Sequence, residues 1–402
     1  MSNLDHNPNA KIALDGPSAI TYYRDRCQRA CLPQPEQTIV PVEVDPDGDE
    51  WLSDEDIAFM LSEESVFGRS SDFATPATEG EVIDLPLVRS QMYQLSQCST
   101  RSRDLKQIDY EALGIQPPSK ECPIFALVSS KQNKRRVVRI RQRVLTSKVP
   151  LYSFSRLGDS VYVPSPEFLF ALMAHYLTLP GLMLLAMELC GHYRLADAPS
   201  NSPLDSSTTI YDQPALTNVA KLQTFIDKYG TFSGKKNAQR ALRYIADDAA
   251  SPMESIVYLL LCLPRSLGGY GIPKPILNAK RPVTARAGTL TMAGHLIPDL
   301  YWTNRRLDLE YDSDAFHADP ECLLAGARRT MALRVMKVEV VSLTYDIVRD
   351  AQAFDTTARL ISKKLGRRPQ PIDDNVDKAR QTLRAALLDN LDLYKPLLKR
   401  SA

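Results

Sequence analysis

The chain is 402 residues long, enough for two or three domains at roughly 100–200 residues each. Apolar residues at 44% and charged residues at 24% exclude a chain disordered throughout, a collagen-like fibre and a polytopic membrane protein. Lysine and arginine (49) nearly cancel aspartate and glutamate (48), so no global field steers the chain to nucleic acid, and any such contact needs a local basic patch.

The polar start, with Asp5 and Asn7, has neither the basic n-region nor the apolar h-region of a signal peptide. The seven cysteines are odd in number, and only Cys27 and Cys31 are close neighbours. Free thiols in a reducing, cytoplasmic compartment follow; no second Cys/His pair completes a zinc site. Residues 1–105 read as an acidic, mostly irregular segment. Asp45, Asp47, Asp49, Glu50, Asp54, Glu55, Asp56, Glu63 and Glu64 form a solvated run that could also mask a basic patch. Within it, Trp51–Leu61 has the pattern of a short amphipathic helix capped by Ser53.

Residues 106–247 read as an α+β module with a linker and helices. Strands are predicted at Ile124–Ser129, Val137–Arg141 and Ser160–Pro164. Ser165-Pro166 opens an apolar helix, with Ser at the N-cap and Pro at the first helical position. Phe168–Cys190 is the most apolar stretch, but His175, Pro180 and Glu188 interrupt it. A membrane span needs about 20 apolar residues in a row, so two short buried helices broken at Pro180 are predicted, and no membrane association. Residues 197–216 have linker composition, and 217–247 carry two helices about a Gly230–Gly234 turn. Lys131, Lys134, Arg135, Arg136, Arg139, Arg141, Arg143 and Lys148 form a basic stretch with no acid between them. It is a candidate DNA-backbone surface, or simply an edge strand guarded by charge.

Residues 248–370 read as a second module. Ser251-Pro-Met-Glu-Ser opens a helix to about Leu263. Strand candidates lie near 275–281, 284–290, 295–301 and 305–312, followed by a helix at 320–335, the strand Val338–Leu343 and a helix at 351–365. Around a polar turn at Thr303–Arg305 the pattern is a β-hairpin. By the period of two, Leu307, Leu309 and Tyr311 share one face, and Asp308, Glu310 and Asp312 the other. Asp299 lies across the hairpin. Carboxylates so grouped repel each other. A hard divalent cation, Mg²⁺, Mn²⁺ or Ca²⁺ ahead of zinc, would offset that and could activate water against a phosphodiester. An ordinary half-exposed strand gives the same alternation. Residues 371–402 close the chain with an amphipathic helix at 375–398, a candidate surface for self-association or a protein partner.

Four separated pieces carry a resemblance. Ser251-Pro-Met-Glu-Ser, Pro298-Asp299, Leu309-Glu310-Tyr311-Asp312-Ser313-Asp314 with His317, and Arg329 with Leu333 before an apolar strand together resemble the very-short-patch-repair-like branch of the PD-(D/E)XK nuclease superfamily. The resemblance implies a restriction-endonuclease-like αβββαβ core in an α+β or α/β chain. It implies metal-dependent hydrolysis of DNA phosphodiester bonds, in defence against foreign DNA or in repair. Residue by residue, it implies Asp299 and Glu310 as metal ligands, Glu254 and Asp312 as assisting carboxylates, His317 as a proton donor and Arg329 as a phosphate contact. Asp312 stands where most of the superfamily has Lys, and Gly326 where an Asp is common. These departures point to the alternative, a non-catalytic DNA-binding regulator or antitoxin-type protein on a decayed nuclease fold. The middle module resembles the AbiEi-type antitoxin-like domain through Val161-Tyr-Val-Pro and the Ser165-Pro166 helix start.

Overall fold

The computed structural model describes residues 12–30, 88–90, 98, 105–195, 209–312 and 320–389, apart from scattered single positions and short gaps within them. The acidic run, the Trp51–Leu61 helix, the Cys27 and Cys31 side chains, Lys148 and His317 lie outside the described residues.

The N-terminal segment, predicted to be irregular, supplies the middle of a sheet. Strand β1 (Ile12–Leu14) is fully buried and is followed by helix α1 (Gly16–Ala30). Strands β2 (Val88–Ser90), β3 (Ile124–Val128), β4 (Ile140–Val144), β5 (Phe154–Leu157) and β6 (Val161–Pro164) complete a six-stranded mixed sheet in the order β2-β5-β6-β1-β3-β4. β1 runs parallel to β6 and antiparallel to β3, with Ala13 opposite both Tyr162 and Leu127. Three apolar residues are too few to show a period, and these partners lie far along the chain.

Helices α2 (Pro166–Met173) and α3 (Leu179–Leu189) follow as predicted, with Pro180 in the first turn of α3. Ser165 caps α2 by accepting from Phe168 N at 3.3 Å. Ser165→Ala is expected to cost about 1 kcal/mol, read as a lower denaturant midpoint at unchanged slope; an unchanged midpoint would show the cap to be idle. Glu188 of α3, buried, takes a bidentate ion pair from Arg24 of α1 at 2.7 and 2.8 Å, which ties the N-terminal helix to the middle of the chain.

Short strands β7 (Arg194–Leu195) and β8 (Thr209–Ile210) pair, so a strand stands at 209–210 within the predicted linker. The buried Arg194 guanidinium donates to the Glu188, Gly191 and Pro214 carbonyls, satisfying the end of α3. Helices α4 (Val219–Lys228) and α5 (Lys235–Leu242) then pack on α2 and α3.

Helix α6 (Pro252–Cys262) is buried along its length except at Cys262. After it come β9 (Ile276–Leu277), β10 (Arg281–Pro282), helix α7 (Ala285–Gly288), β11 (His295–Leu296), β12 (Leu300–Trp302), β13 (Leu307–Asp312), α8 (Pro320–Val335), β14 (Glu339–Thr344), α9 (Tyr345–Arg349), α10 (Ala351–Lys364) and α11 (Asp374–Leu388). The predicted strand at 284–290 is the helix α7 instead. Thr284 caps it, and Ala285, Arg286 and Ala287 are good helix formers. A four-stranded sheet has the order β14-β13-β12-β9, antiparallel except for the parallel β13–β14 pair. The molecule is thus a mixed α+β fold.

One hydrophobic core runs from Ile12 to Leu388. Leu300, Trp302, Leu307 and Leu309 of the second sheet face into it. Tyr301, on the opposite face, joins a smaller cluster with Ala287, Leu296, Ala332, Leu333 and Val338, which lies under α8. The apolar side of α11 (Leu383, Ala386, Leu387 and Leu388) is buried within the chain, so that face is not open to the partner predicted for it. No helix among the described residues is long and apolar enough to cross a membrane.

Candidate carboxylate site

The hairpin β12–β13 builds the site. Leu300 pairs with Leu309 and Tyr301 with Asp308, so Asp299 stands at the position facing Glu310. The turn between the strands is a single 3₁₀ turn, Thr303–Arg305, closed by Arg306 in the left-handed region (φ 47°). Alternation then turns Leu307 and Leu309 into the main core and puts Asp308 and Glu310 on the face under α8. Arg329 of α8 reaches both strands. It donates to Glu310 Oε2 and to the Ile297 carbonyl, and its Nη2 lies 3.7 Å from Asp299 Oδ1. One guanidinium therefore touches the two carboxylates that the sequence singled out.

Asp299 Oδ2 also accepts from Tyr311 N at 2.8 Å, which fixes its rotamer across the hairpin. Glu254 comes from the first turn of α6, where Ser251 caps Glu254 N at 3.1 Å. Its Oε2 accepts from Ala250 N at 2.9 Å and from Asn278 Nδ2 at 2.6 Å. Asn278 in turn donates its backbone N–H to the Asp299 carbonyl at 3.0 Å. It adopts φ 49°, a left-handed conformation that Asn tolerates better than most residues. Asn278 thus couples the helix carboxylate to the strand carboxylate. Its sequence signal is only an Asn at a strand end, and the motif reading passed over it.

Asp308 is the residue on which the site turns. It is 0% exposed, and with both carboxyls ionised neither its oxygens nor Glu310 Oε1 has a donor among the described residues. Its pKa is pushed up to about 10 by burial, by hydrogen bonding to Glu310 and by the charges of Glu310 and Asp299. A protonated Asp308 can donate to Glu310, which settles the apparent conflict between a hydrogen-bonded pair and orphaned oxygens. Burial, then the Glu310 and Glu254 charges, raise Asp299 to about 8. Burial also raises Glu254, against the hydrogen bonds that stabilise its charge. Arg329 is held above its ordinary value: burial works against its charge, but Glu310 and Asp299 outweigh it. Three carboxyl groups thus share one guanidinium, and the Glu254 charge adds to their repulsion at Asp299.

Asp312 lies elsewhere than predicted. It is exposed at the end of β13, while Asp308, two residues before Glu310 on the same face, is the one enclosed with it. The period of two cannot choose between them; the cover of α8 does.

Among the described residues, no three His, Cys, Asp or Glu side chains are close enough as they stand to hold a metal ion. The donor type is nevertheless the one a hard cation takes. The atoms are all carboxylate oxygens, three of which are buried without donors. Asp299, Asp308 and Glu310 are the residues that would hold it.

The basic stretch divides. Lys134, Arg135, Arg136, Arg139 and Arg141 are exposed on or beside β4, the edge strand of the six-stranded sheet. Arg135 folds back onto the Gln132 and Lys134 carbonyls. Arg143 turns inward, against the prediction: it bonds the buried Asp15 at 2.5 Å, and Tyr176 donates to the other Asp15 oxygen at 2.5 Å. The acceptor lies 128 residues away in sequence, so the run of basic residues gives no hint of it.

No protein-family model matches this sequence, and no curated protein or solved structure matches it either.

Proposed function

We propose that the chain is a metal-dependent endodeoxyribonuclease of the PD-(D/E)XK type, related to the very-short-patch-repair-like branch. The observation that carries this reading is the enclosed Asp308, packed against Glu310 and Asp299 and kept protonated there, with a single guanidinium among them. Carboxyl groups crowded so closely that protons must stand in for missing positive charge are what a cation site looks like without its cation. The element order supports the reading. Helix α6, the antiparallel strands β9, β12 and β13, helix α8 and the parallel strand β14 occur in the order αβββαβ, with β10, α7 and β11 inserted between β9 and β12.

A bound Mg²⁺ or Mn²⁺ would supply Lewis acidity toward a phosphate oxygen and lower the pKa of a water. The chain's own residues do the rest. Asn278 and Tyr311 N fix Glu254 and Asp299. Arg329, one third exposed beside Glu310, would take the charge-stabilising role of the absent Lys. Exposed Lys134, Arg135, Arg136, Arg139 and Arg141 offer a backbone-tracking surface for DNA. Supercoiled plasmid incubated with the full chain and Mg²⁺ or Mn²⁺ should be nicked or linearised, and EDTA should stop the reaction.

The Arg329 contacts favour a second reading. A guanidinium bonded to Glu310 and near Asp299 already neutralises part of the cluster, as in a nuclease fold retained for DNA binding alone. Retarded DNA in a gel, uncut with either metal, would decide for that regulator or antitoxin-type protein.

A further inference from the structure

Away from the carboxylate cluster, a cavity of about 440 Å³ opens between the Arg265–Leu267 turn, α10 and α11. Arg265, Arg359, Arg367, Arg368 and Arg380 line it, and Asp355 is the one carboxylate among the described residues that do. The charges do not balance. Asp355 accepts from Arg359 Nε at 2.5 Å on one oxygen and from Arg380 Nη1 at 2.8 Å on the other, so both oxygens are taken. Among the described residues, Arg265 and Arg367 reach neutral carbonyls, those of Pro371 and Gly271. Arg368 is exposed at the rim. The Nε atoms of Arg265 and Arg380 are buried without a partner among the described residues.

Guanidinium groups repel one another, and a buried N–H left unpaired costs about 1–3 kcal/mol. The scaffold nevertheless holds them in place. The Arg380 guanidinium is fixed 3.8 Å above the Tyr270 ring, and Asp355 orients two of the five. This is a preorganised anion receptor in want of an anion. Planar guanidinium forks match phosphate oxygens in pairs, so the chemistry recognised is phosphoryl. The size is that of a small-molecule pocket. The groups come from three segments and line one concavity, which suits a compact polyanion better than an extended duplex.

We propose that this cavity binds a small ligand carrying two or more phosphate groups, either a nucleoside polyphosphate or an inorganic oligophosphate. Isothermal titration of the full chain in EDTA tests it, with inorganic tripolyphosphate and ATP as separate probes. Without a divalent cation the carboxylate cluster plays no part, so the outcome is independent of the nuclease reading. Saturable binding of tripolyphosphate is expected, weakened at least about tenfold by Arg368→Ala or Arg359→Ala, the loss of one charge-assisted contact. Tighter binding of ATP would assign the nucleotide; equal binding would assign the phosphate chain alone. Both substituted residues are solvent-exposed, and a melt without ligand checks that each variant folds; should Arg359→Ala unfold, Arg368→Ala carries the test. Absence of binding, or affinity unchanged in the folded variants, would overturn the proposal. So would duplex DNA that displaces tripolyphosphate with the same dependence on Arg368.

Discussion

Asp308→Asn is expected to stabilise the metal-free protein while removing its response to metal. At pH 8 the wild-type chain must either bury an ionised Asp308 with no donor on it or take up a proton on folding. Asn needs neither, and its amide can donate to Glu310 in place of the Asp308 proton. A gain of at least about 1–3 kcal/mol at pH 8 in EDTA follows, growing with pH for as long as the folded wild type keeps the proton. The same change removes one anionic oxygen donor from the set that would hold a cation. Stabilisation by Mn²⁺, readable as a rise in melting temperature in the wild type, should disappear, and plasmid cleavage should fall at least about a hundredfold. Few substitutions raise stability and abolish function together, and those that do sit where function keeps the fold strained. A variant that melts like the wild type with and without Mn²⁺ would mark Asp308 as a protonated structural acid, and the cation site would go with it.

The contrast between Asp308 and Asp312 shows where the sequence is legible. Local signals were reliable guides. The Ser-Pro helix starts at 165 and 251 and the Thr303–Arg305 turn all follow from capping and turn chemistry within a few residues. The alternation in β13 put Asp308, Glu310 and Asp312 on one face, and there it stopped. Which of them is enclosed depends on α8 crossing above the sheet. The same holds for Arg143, which leaves the basic surface only because Asp15 arrives from the other end of the chain. β1 was missed for a related reason: a three-residue strand has almost no pattern of its own, and its place between β6 and β3 is a tertiary fact. The pairing of Asp299 with Glu310 was within reach because a hairpin is local. The linking role of Asn278 was not, since it needs α6 and β9 to be adjacent first.

The carboxyl cluster should also give the protein an unusual dependence on pH. Most buried carboxylates are held ionised, and stability is lost as acid protonates them. Here the direction is reversed. Asp299 is raised from 3.8 to about 8 and Asp308 from 3.8 to about 10. Below about pH 4 both groups are protonated in the folded and the unfolded chain alike, and they add no pH dependence. Above that the unfolded chain releases protons that the folded one keeps. Stability should therefore fall as the pH rises, by about 1.4 kcal/mol per pH unit for each group still protonated in the fold, until the folded-state values are passed. Denaturant titrations in EDTA between pH 6 and 9 read this window. His192 contributes with the same sign, because its hydrogen bond to Asp248 raises its pKa, so the slope alone does not isolate the cluster. Two comparisons do. Asp308→Asn should remove the Asp308 share of the slope and leave that of His192. Mn²⁺ should flatten the profile, since a bound cation takes the place of the protons. A curve in EDTA that is level from pH 6 to 9, or whose slope survives Asp308→Asn intact, would mean that these carboxyls already find enough positive charge within the chain.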